Sequence, residues 1–274
     1  MKKAVICKNN SIGNDQQGIK LYNFNKKHNK SLKFYNSWSS ETTRATSFFN
    51  QWAAGLIESD GCIYISKKGY ISYEVTMGIR EIAALYKLKA VFGGSVSKRV
   101  NANAFRWRLH KDKFVYRFTC SINGYIYMKE LNYKKVLDKY NLNFFKVPLV
   151  YDNAWLSGFF EGDGSVNINI RNYQITLSIS QKSLNILEQI QSIYGGIIYY
   201  DKSWDGYVWA VSESESLEEL LLYFTRFPLK SGKNADIRSA KRFYGWKLQG
   251  YHKASTKKKK LDLFIKQFQK RKKI

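Results

Sequence analysis

Negative charge is scarce in this chain, with 21 Asp and Glu against 46 Lys and Arg in 274 residues and a formal net charge of +25. That imbalance points to a polyanionic partner. Cysteine is nearly absent as well: Cys7, Cys62 and Cys120 are odd in number and form no CxxC pair, and His28, His110 and His252 are scattered. A disulfide scaffold and a zinc site are both disfavoured. No apolar run approaches the roughly eighteen residues of a membrane span, and the opening MKKAVICKNN has too short an apolar stretch for a secretory signal. No long amphipathic basic helix stands out, so a membrane surface is a poor candidate for the polyanion. The chain is expected to be soluble and reduced, with 44% hydrophobic residues to build one large core or two smaller ones.

The basic charge is unevenly spread. Residues 1–47 carry a net +7, 48–150 a net +10, 151–229 a net −6 and 230–274 a net +14. The first segment, rich in Asn, Lys and Ser without periodicity, reads as a flexible basic leader. The last part, 251–274, reads as a basic tail in which Lys257–Lys260 and the closing KRKKI flank a short helix carrying Leu261, Phe264, Ile265 and Phe268. Contact with phosphates and a merely solvated end both fit that tail.

Between leader and tail the chain repeats itself. NQWAAGLIESDGCIYIS, from Asn50, returns as NAWLSGFFEGDGSVNIN, from Asn153, which places Asp60 and Asp163 103 positions apart. Farther on, KLKAVFGG ending at Gly94 answers QIQSIYGG ending at Gly196, and FRWRL around Trp107 answers YVWAV around Trp209, at an offset of 102. The units are 48–150 and 151–250. Each reads as a helix ending at the Asp-Gly pair with the glycine as a left-handed stop, two alternating strands, a helix closed by Gly-Gly, and two more strands.

In the second unit Val166, Ile168 and Ile170, then Ile175, Leu177 and Ile179, share one face. Asn167, Asn169, Arg171, Gln174, Thr176, Ser178 and Ser180 share the other. In the first, Phe105, Trp107 and Leu109 oppose Arg106 and Arg108, and Tyr64, Ser66, Thr76 and Lys98 are further polar strand positions. The fold class is therefore α+β, a tandem pair of antiparallel sheets with helices on one face and a polar face outward. An ordinary solvated sheet face has the same pattern. The charge and the duplicated carboxylates favour a surface that reads base edges in the major groove. Val208 and Ala210 replace the two arginines in the second unit, and SESESLEEL (Ser212–Leu220) is acidic. That acid either lies on a helix turned from the nucleic acid or weakens this half's contact.

Asp60 and Asp163 each close a helix, where the macrodipole disfavours negative charge. One such acid reads as a solvated turn; two in matching frames read as an active centre. Gly55 and Gly158, also matched, suggest a close crossing of the two helices through Ala54–Gly55 and Ser157–Gly158, with the acids meeting near a pseudo-twofold axis. Mg²⁺ held by oxygen ligands and water would relieve their repulsion, with Mn²⁺ as a substitute, and would serve phosphodiester hydrolysis.

AAGLIESDG (Ala53–Gly61) and LSGFFEGDG (Leu156–Gly164) resemble the two motif copies of single-chain LAGLIDADG homing endonucleases, and the resemblance runs from about Asn50 to about Gly250. It implies paired αββαββα units with the motif helices at the interface and a saddle of sheets on double-stranded DNA. It makes Asp60 and Asp163 the metal ligands and catalytic carboxylates, and leaves Glu58 and Glu161 structural. Gln181 resembles the polar residue that positions solvent, with Ile79 as its counterpart in the first unit. Lys233 in FPLKSGKNAD resembles the basic residue near the scissile phosphate. INGYIYMK resembles the NG-x-[IF]-R-x-x-K stretch of organellar members and nominates Lys129, with Tyr127 where Arg is usual.

The resemblance further implies a monomeric, site-specific double-strand endonuclease with a long asymmetric target and 3′ overhangs. Lys, Asn, Ile and Tyr abundance, with the NG motif, favours a mitochondrial or plastid intron product. An RNA maturase assisting its host intron is the rival, and host intron RNA its partner.

Overall fold

Two units of the same element order fill the described part of the chain, residues 43–212 and 214–272 of this computed structural model. The leader, with Cys7 and His28, falls almost wholly outside the described residues, as do the last two residues of the tail. In the first unit, helix α1 (Thr43–Ser59) leads into strands β1 (Gly61–Ile65) and β2 (Ile71–Gly78), helix α2 (Ile82–Phe92), and strands β3 (Ser95–Lys98) and β4 (Ala104–Leu109). In the second, α5 (Trp155–Asp163) leads into β5 (Gly164–Asn169), β6 (Gln174–Gln181), α6 (Leu184–Tyr194), β7 (Ile197–Asp201) and β8 (Gly206–Val211). The sheets are antiparallel, ordered β1-β2-β4-β3 and β5-β6-β8-β7. Two helices rather than one complete each unit: α3 (Asp112–Ile122) and α4 (Glu130–Lys139), then α7 (Ser214–Arg226) and α8 (Lys233–Leu248).

Strand alternation sorts the side chains as the pattern predicts. Ile63, Tyr73, Val75, Trp107 and Leu109 are buried in one unit, and Val166, Ile168, Leu177, Ile179 and Trp209 in the other. The indoles of Trp107 and Trp209 each donate to a Gly-Gly carbonyl, Gly93 O and Gly195 O, at 2.8 Å, so each sheet is pinned to its own helix at the same place. All four of those glycines have positive φ.

The register corrects the alignment of the repeats. Gly61 pairs with Val75 and Gly164 with Ile179, while Trp107 and Trp209 face the same two residues. Counted from there, Met77 opposite Phe105 occupies the place of Gln181 opposite Tyr207, so Ile79 is not its counterpart. The first unit spends two extra residues between strand and helix, in a 3₁₀ turn over Ile79–Glu81. The glycine after each motif acid is not left-handed either. Gly164 is extended (φ −75°, ψ 144°), and Gly61 is absent from the positive-φ residues. Space is the reason for glycine: a Cβ on Gly61 would lie 2.5 Å from Ile57 Cα.

Helix α7 buries Leu217, Leu220, Leu221, Tyr223 and Phe224 and turns Glu215, Glu218 and Glu219 to solvent while packing on α6 and α8. Glu215, Glu218 and Glu219 thus belong to the helical layer, not to the polar sheet face, while Glu213 of the same acidic run lies outside the described residues. The tail forms α9 (Ser255–Lys272), longer than expected and including Lys257–Lys260. It buries Leu261, Ile265 and Phe268, and Gln269 and Lys272 donate to the carbonyls of Ile168 (3.2 Å) and Val166 (2.5 Å). Those bonds cap the open edge of β5. Among the described residues no helix is long and apolar enough to cross a membrane.

Candidate active site

Helices α1 and α5 cross in backbone contact. A Cβ on Gly55 would run into Trp155 O and stand 2.7 Å from Phe159 N; one on Gly158 would run into Trp52 O and stand 2.9 Å from Leu56 N. Only glycine permits that approach, and it sets the two C-terminal ends side by side. Asp60 follows α1 directly and Asp163 is the last residue of α5. A Cβ on Gly162 would lie 2.9 Å from Asp60 Cγ, so the first acid rests against the end of the second helix.

Both carboxyls titrate above their usual range. Burial raises Asp163 most, and the Asp60 charge adds to it, bringing it to about 6 against the opposing Gln181 hydrogen bond and the Lys233 and Lys129 charges. Burial also raises Asp60, opposed by Lys233 and Lys129 and reinforced by Glu81. Gln181 Nε2 donates to Asp163 Oδ2. Two converging carboxylates with an amide beside them form a hard, oxygen-rich donor set, and no three His, Cys, Asp or Glu gather into a cage among the described residues. That donor set suits a Mg²⁺-like cation that keeps water and takes further oxygens from a phosphate.

The cationic partners for the helix ends come from elsewhere in the chain. Lys129 Nζ donates to the carbonyls of Ile57 (2.7 Å), Ser59 (3.2 Å) and Gly61 (2.5 Å). Lys233 Nζ donates to Gly162 O at 2.6 Å and Phe160 O at 3.5 Å. In return the motif-helix glutamates hold the backbone that carries each lysine. Glu58 accepts from the N–H groups of Tyr127 (2.8 Å), Met128 (2.5 Å) and Lys129 (3.0 Å), and Glu161 from those of Lys230 and Ser231. Glu58 and Glu161 are 1% and 0% exposed. Burial raises both, against those backbone bonds, and lowers Lys129 and Lys233, against the surrounding carboxylates. Each unit therefore closes a reciprocal clasp: acid from helix to loop, ammonium from loop to helix end. Sequence reading treats Glu58 and Glu161 as structural but does not find the clasp. Its only trace is that a Glu precedes each Asp by two residues and a Lys recurs near the same place after each sheet.

The profile of the LAGLIDADG endonuclease family matches residues 156–244. The chain is 34% identical over 206 residues to the intron-encoded RNA maturase bI4 of Saccharomyces cerevisiae, covering 72% of this chain and 32% of that protein. It is 32% identical over 208 residues to the intron-encoded DNA endonuclease ai2b of Dictyostelium discoideum, covering 70% of this chain and 78% of that protein. The chain belongs to the LAGLIDADG endonuclease family. It spans about a third of the length of the yeast maturase. The fold is that of the meganuclease I-SmaMI bound to uncleavable DNA, with a TM-score of 0.65 and 18% identity over 79% of this chain and 97% of that one.

In this LAGLIDADG chain the polar residues singled out in the sequence are placed unequally. Tyr64, Thr76, Arg106 and Arg108 share the open face of the first sheet, Thr76 opposite Arg106. Asn167 opposite Thr176, Asn169 opposite Gln174, Ser178 and Ser180 share that of the second, with Arg171 exposed at the β5–β6 turn. Ser66 sits at the first hairpin turn, where its Oγ accepts the Tyr70 N–H at 2.9 Å. Lys98 is misassigned: it pairs with Phe105, so it belongs to the opposite row from Arg106 and Arg108, at the sheet edge. Glu74, missed in the sequence, lies between the two arginines on the open face and binds each at 3.0 Å. Its signal was available, since Glu74 falls on the outward phase of β2.

Proposed function

We propose that this chain is a site-specific double-strand DNA endonuclease that hydrolyses phosphodiesters with a divalent cation. The observation that carries the reading is the meeting of Asp60 and Asp163 at the ends of two crossed helices, flanked by Lys129 and Lys233. Asp60 and Asp163 hold the cation, which when bound supplies a Lewis acid for the phosphate and for water activation; Mg²⁺ fits the donor set and Mn²⁺ would substitute. Gln181 holds solvent beside Asp163. All three protons of the Lys129 ammonium are committed to helix-end carbonyls, so it acts as a fixed charge, whereas Lys233 has a proton left for a phosphate oxygen. Both half-sites lie on one chain, which supports action as a monomer on a long asymmetric DNA target, with 3′ overhangs. Relatives named as intron-encoded support an organellar intron origin.

Cleavage of a randomised DNA library with Mg²⁺ and with EDTA tests this. Metal-dependent double-strand cuts at one recovered sequence are expected, lost in Asp60→Asn and Asp163→Asn while DNA affinity stays within about tenfold, or about 1.4 kcal/mol. Full cutting by either variant would refute the two-carboxylate mechanism. The maturase reading is favoured by the 34% identity to an RNA maturase. It would be adopted if the protein cuts no library member yet accelerates splicing of its host intron RNA.

A further inference from the structure

The two halves of the active centre differ where the repeats lose register. In the second unit β6 ends at Gln181, whose amide reaches Asp163. The same strand position in the first unit is Met77, buried and unable to hold solvent. Four residues later, at the end of the extra 3₁₀ turn, stands Glu81. It is the N-cap residue of α2, but its side chain makes no cap hydrogen bond. Instead it folds back over the turn: a Cβ on Gly78 would lie 3.0 Å from Glu81 Oε2.

The turn that carries it is fastened to the other unit. Gly232 N–H donates to Arg80 O at 3.1 Å, next to Lys233, and the Arg80 guanidinium spans both oxygens of buried Asp236 on α8 at 3.0 and 3.2 Å. Arg271 of α9 approaches the same carboxylate at 3.8 Å. The latch thus places Glu81 beside the loop that starts α8. Lys233 Nζ in turn donates to Gly162 O at 2.6 Å, and a Cβ on Gly162 would lie 2.9 Å from Asp60 Cγ, so the latch leads through Lys233 to the Asp60 carboxylate.

We propose that Glu81 is a positioning residue of the Asp60 half-site, where its carboxylate orders solvent beside Asp60 and directs the uncommitted proton of Lys233, the place held by Gln181 in the other half. The extra turn and the Arg80–Asp236 latch bring an acid in from the helix cap because the strand position has been given to a core methionine. The inference rests on the nuclease reading above.

Strand-resolved nicking of a plasmid bearing the target recovered from the library tests it, with the two product strands labelled separately. Glu81→Ala should slow one strand by about tenfold or more and leave the other within about threefold, because misplacing a positioned group affects only the step it serves. Glu81→Gln, which restores a solvent-holding amide like Gln181, should keep both rates within about threefold of the native enzyme. Unchanged rates in Glu81→Ala, equal slowing of both strands, or a Glu81→Gln enzyme as impaired as Glu81→Ala would each overturn the assignment while leaving the nuclease reading intact. A native protein that cuts nothing would overturn both.

Discussion

Replacing Asp163 by Asn should stabilise the free protein at neutral pH even as it removes activity. In the folded chain burial and the Asp60 charge raise Asp163 from 3.8 to about 6. Below about pH 3.8 the carboxyl is protonated in both folded and unfolded chains and exacts no penalty. Between there and about pH 6 the unfolded chain has released its proton and the folded chain still holds it, so stability falls as pH rises. Above about 6 both are ionised and the penalty is complete. A shift of about two units at 1.36 kcal/mol each makes it about 3 kcal/mol, an upper bound for a partly solvated group. Asn keeps an oxygen for Gln181 and carries no charge at any pH. Urea denaturation in EDTA from pH 4 to 8 should therefore show the native chain losing up to about 3 kcal/mol relative to Asp163→Asn, with Mg²⁺ narrowing the gap at pH 7.5. Parallel stability profiles for the two proteins would refute the assignment of a strained carboxyl.

Three further outcomes are expected. Gly158→Ala, which drives a methyl into Trp52 O, should cost about 1–3 kcal/mol in urea denaturation, and an unchanged midpoint would mean that the crossing is looser than described. Glu58→Gln turns an amide N–H₂ toward backbone donors that now meet carboxylate oxygens, so a loss of about 1–3 kcal/mol is expected; a neutral result would remove the clasp from the account. Changing the exposed Lys257–Lys260 together to Gln should lower the slope of log K for DNA against log salt by up to about 3.6, at about 0.9 per phosphate contact. A slope that does not move makes that stretch of α9 a packing element only.

Periodicity and repetition made much of the fold legible. The matched frames around Asp60 and Asp163, the alternation in β5 and β6 and the paired glycines of the crossing all correspond to features of the structure. What stayed hidden depends on distance in the chain or on counting residues through turns. The Gln181 counterpart was misplaced because an offset measured at Gly-Gly cannot reveal two residues absorbed by a 3₁₀ turn. The row of Lys98 was not legible because a four-residue strand carries too little pattern to set its phase. The Glu58–Lys129 clasp joins residues 71 positions apart, and no local preference for helix, strand or cap records such a partner. The packing of the tail was not legible, because its lysines outnumber the three side chains that anchor it and fit a phosphate contact and a solvated end alike.

Compared with each other, the two repeats record where change has been tolerated. At the crossing, both copies keep glycine against a carbonyl, acid at the helix end, glutamate before it and lysine returning to it. On the open sheets they share almost nothing: Arg106, Arg108 and Glu74 in one copy stand where Val208, Ala210 and Ser178 stand in the other. A duplicated gene segment can diverge in this way only if its inner surface is settled and its outer surface is not. Each copy thus joins its own outer sheet to a shared crossing, and under the nuclease reading proposed above new specificities can be sought one half at a time by exchanging sheet residues.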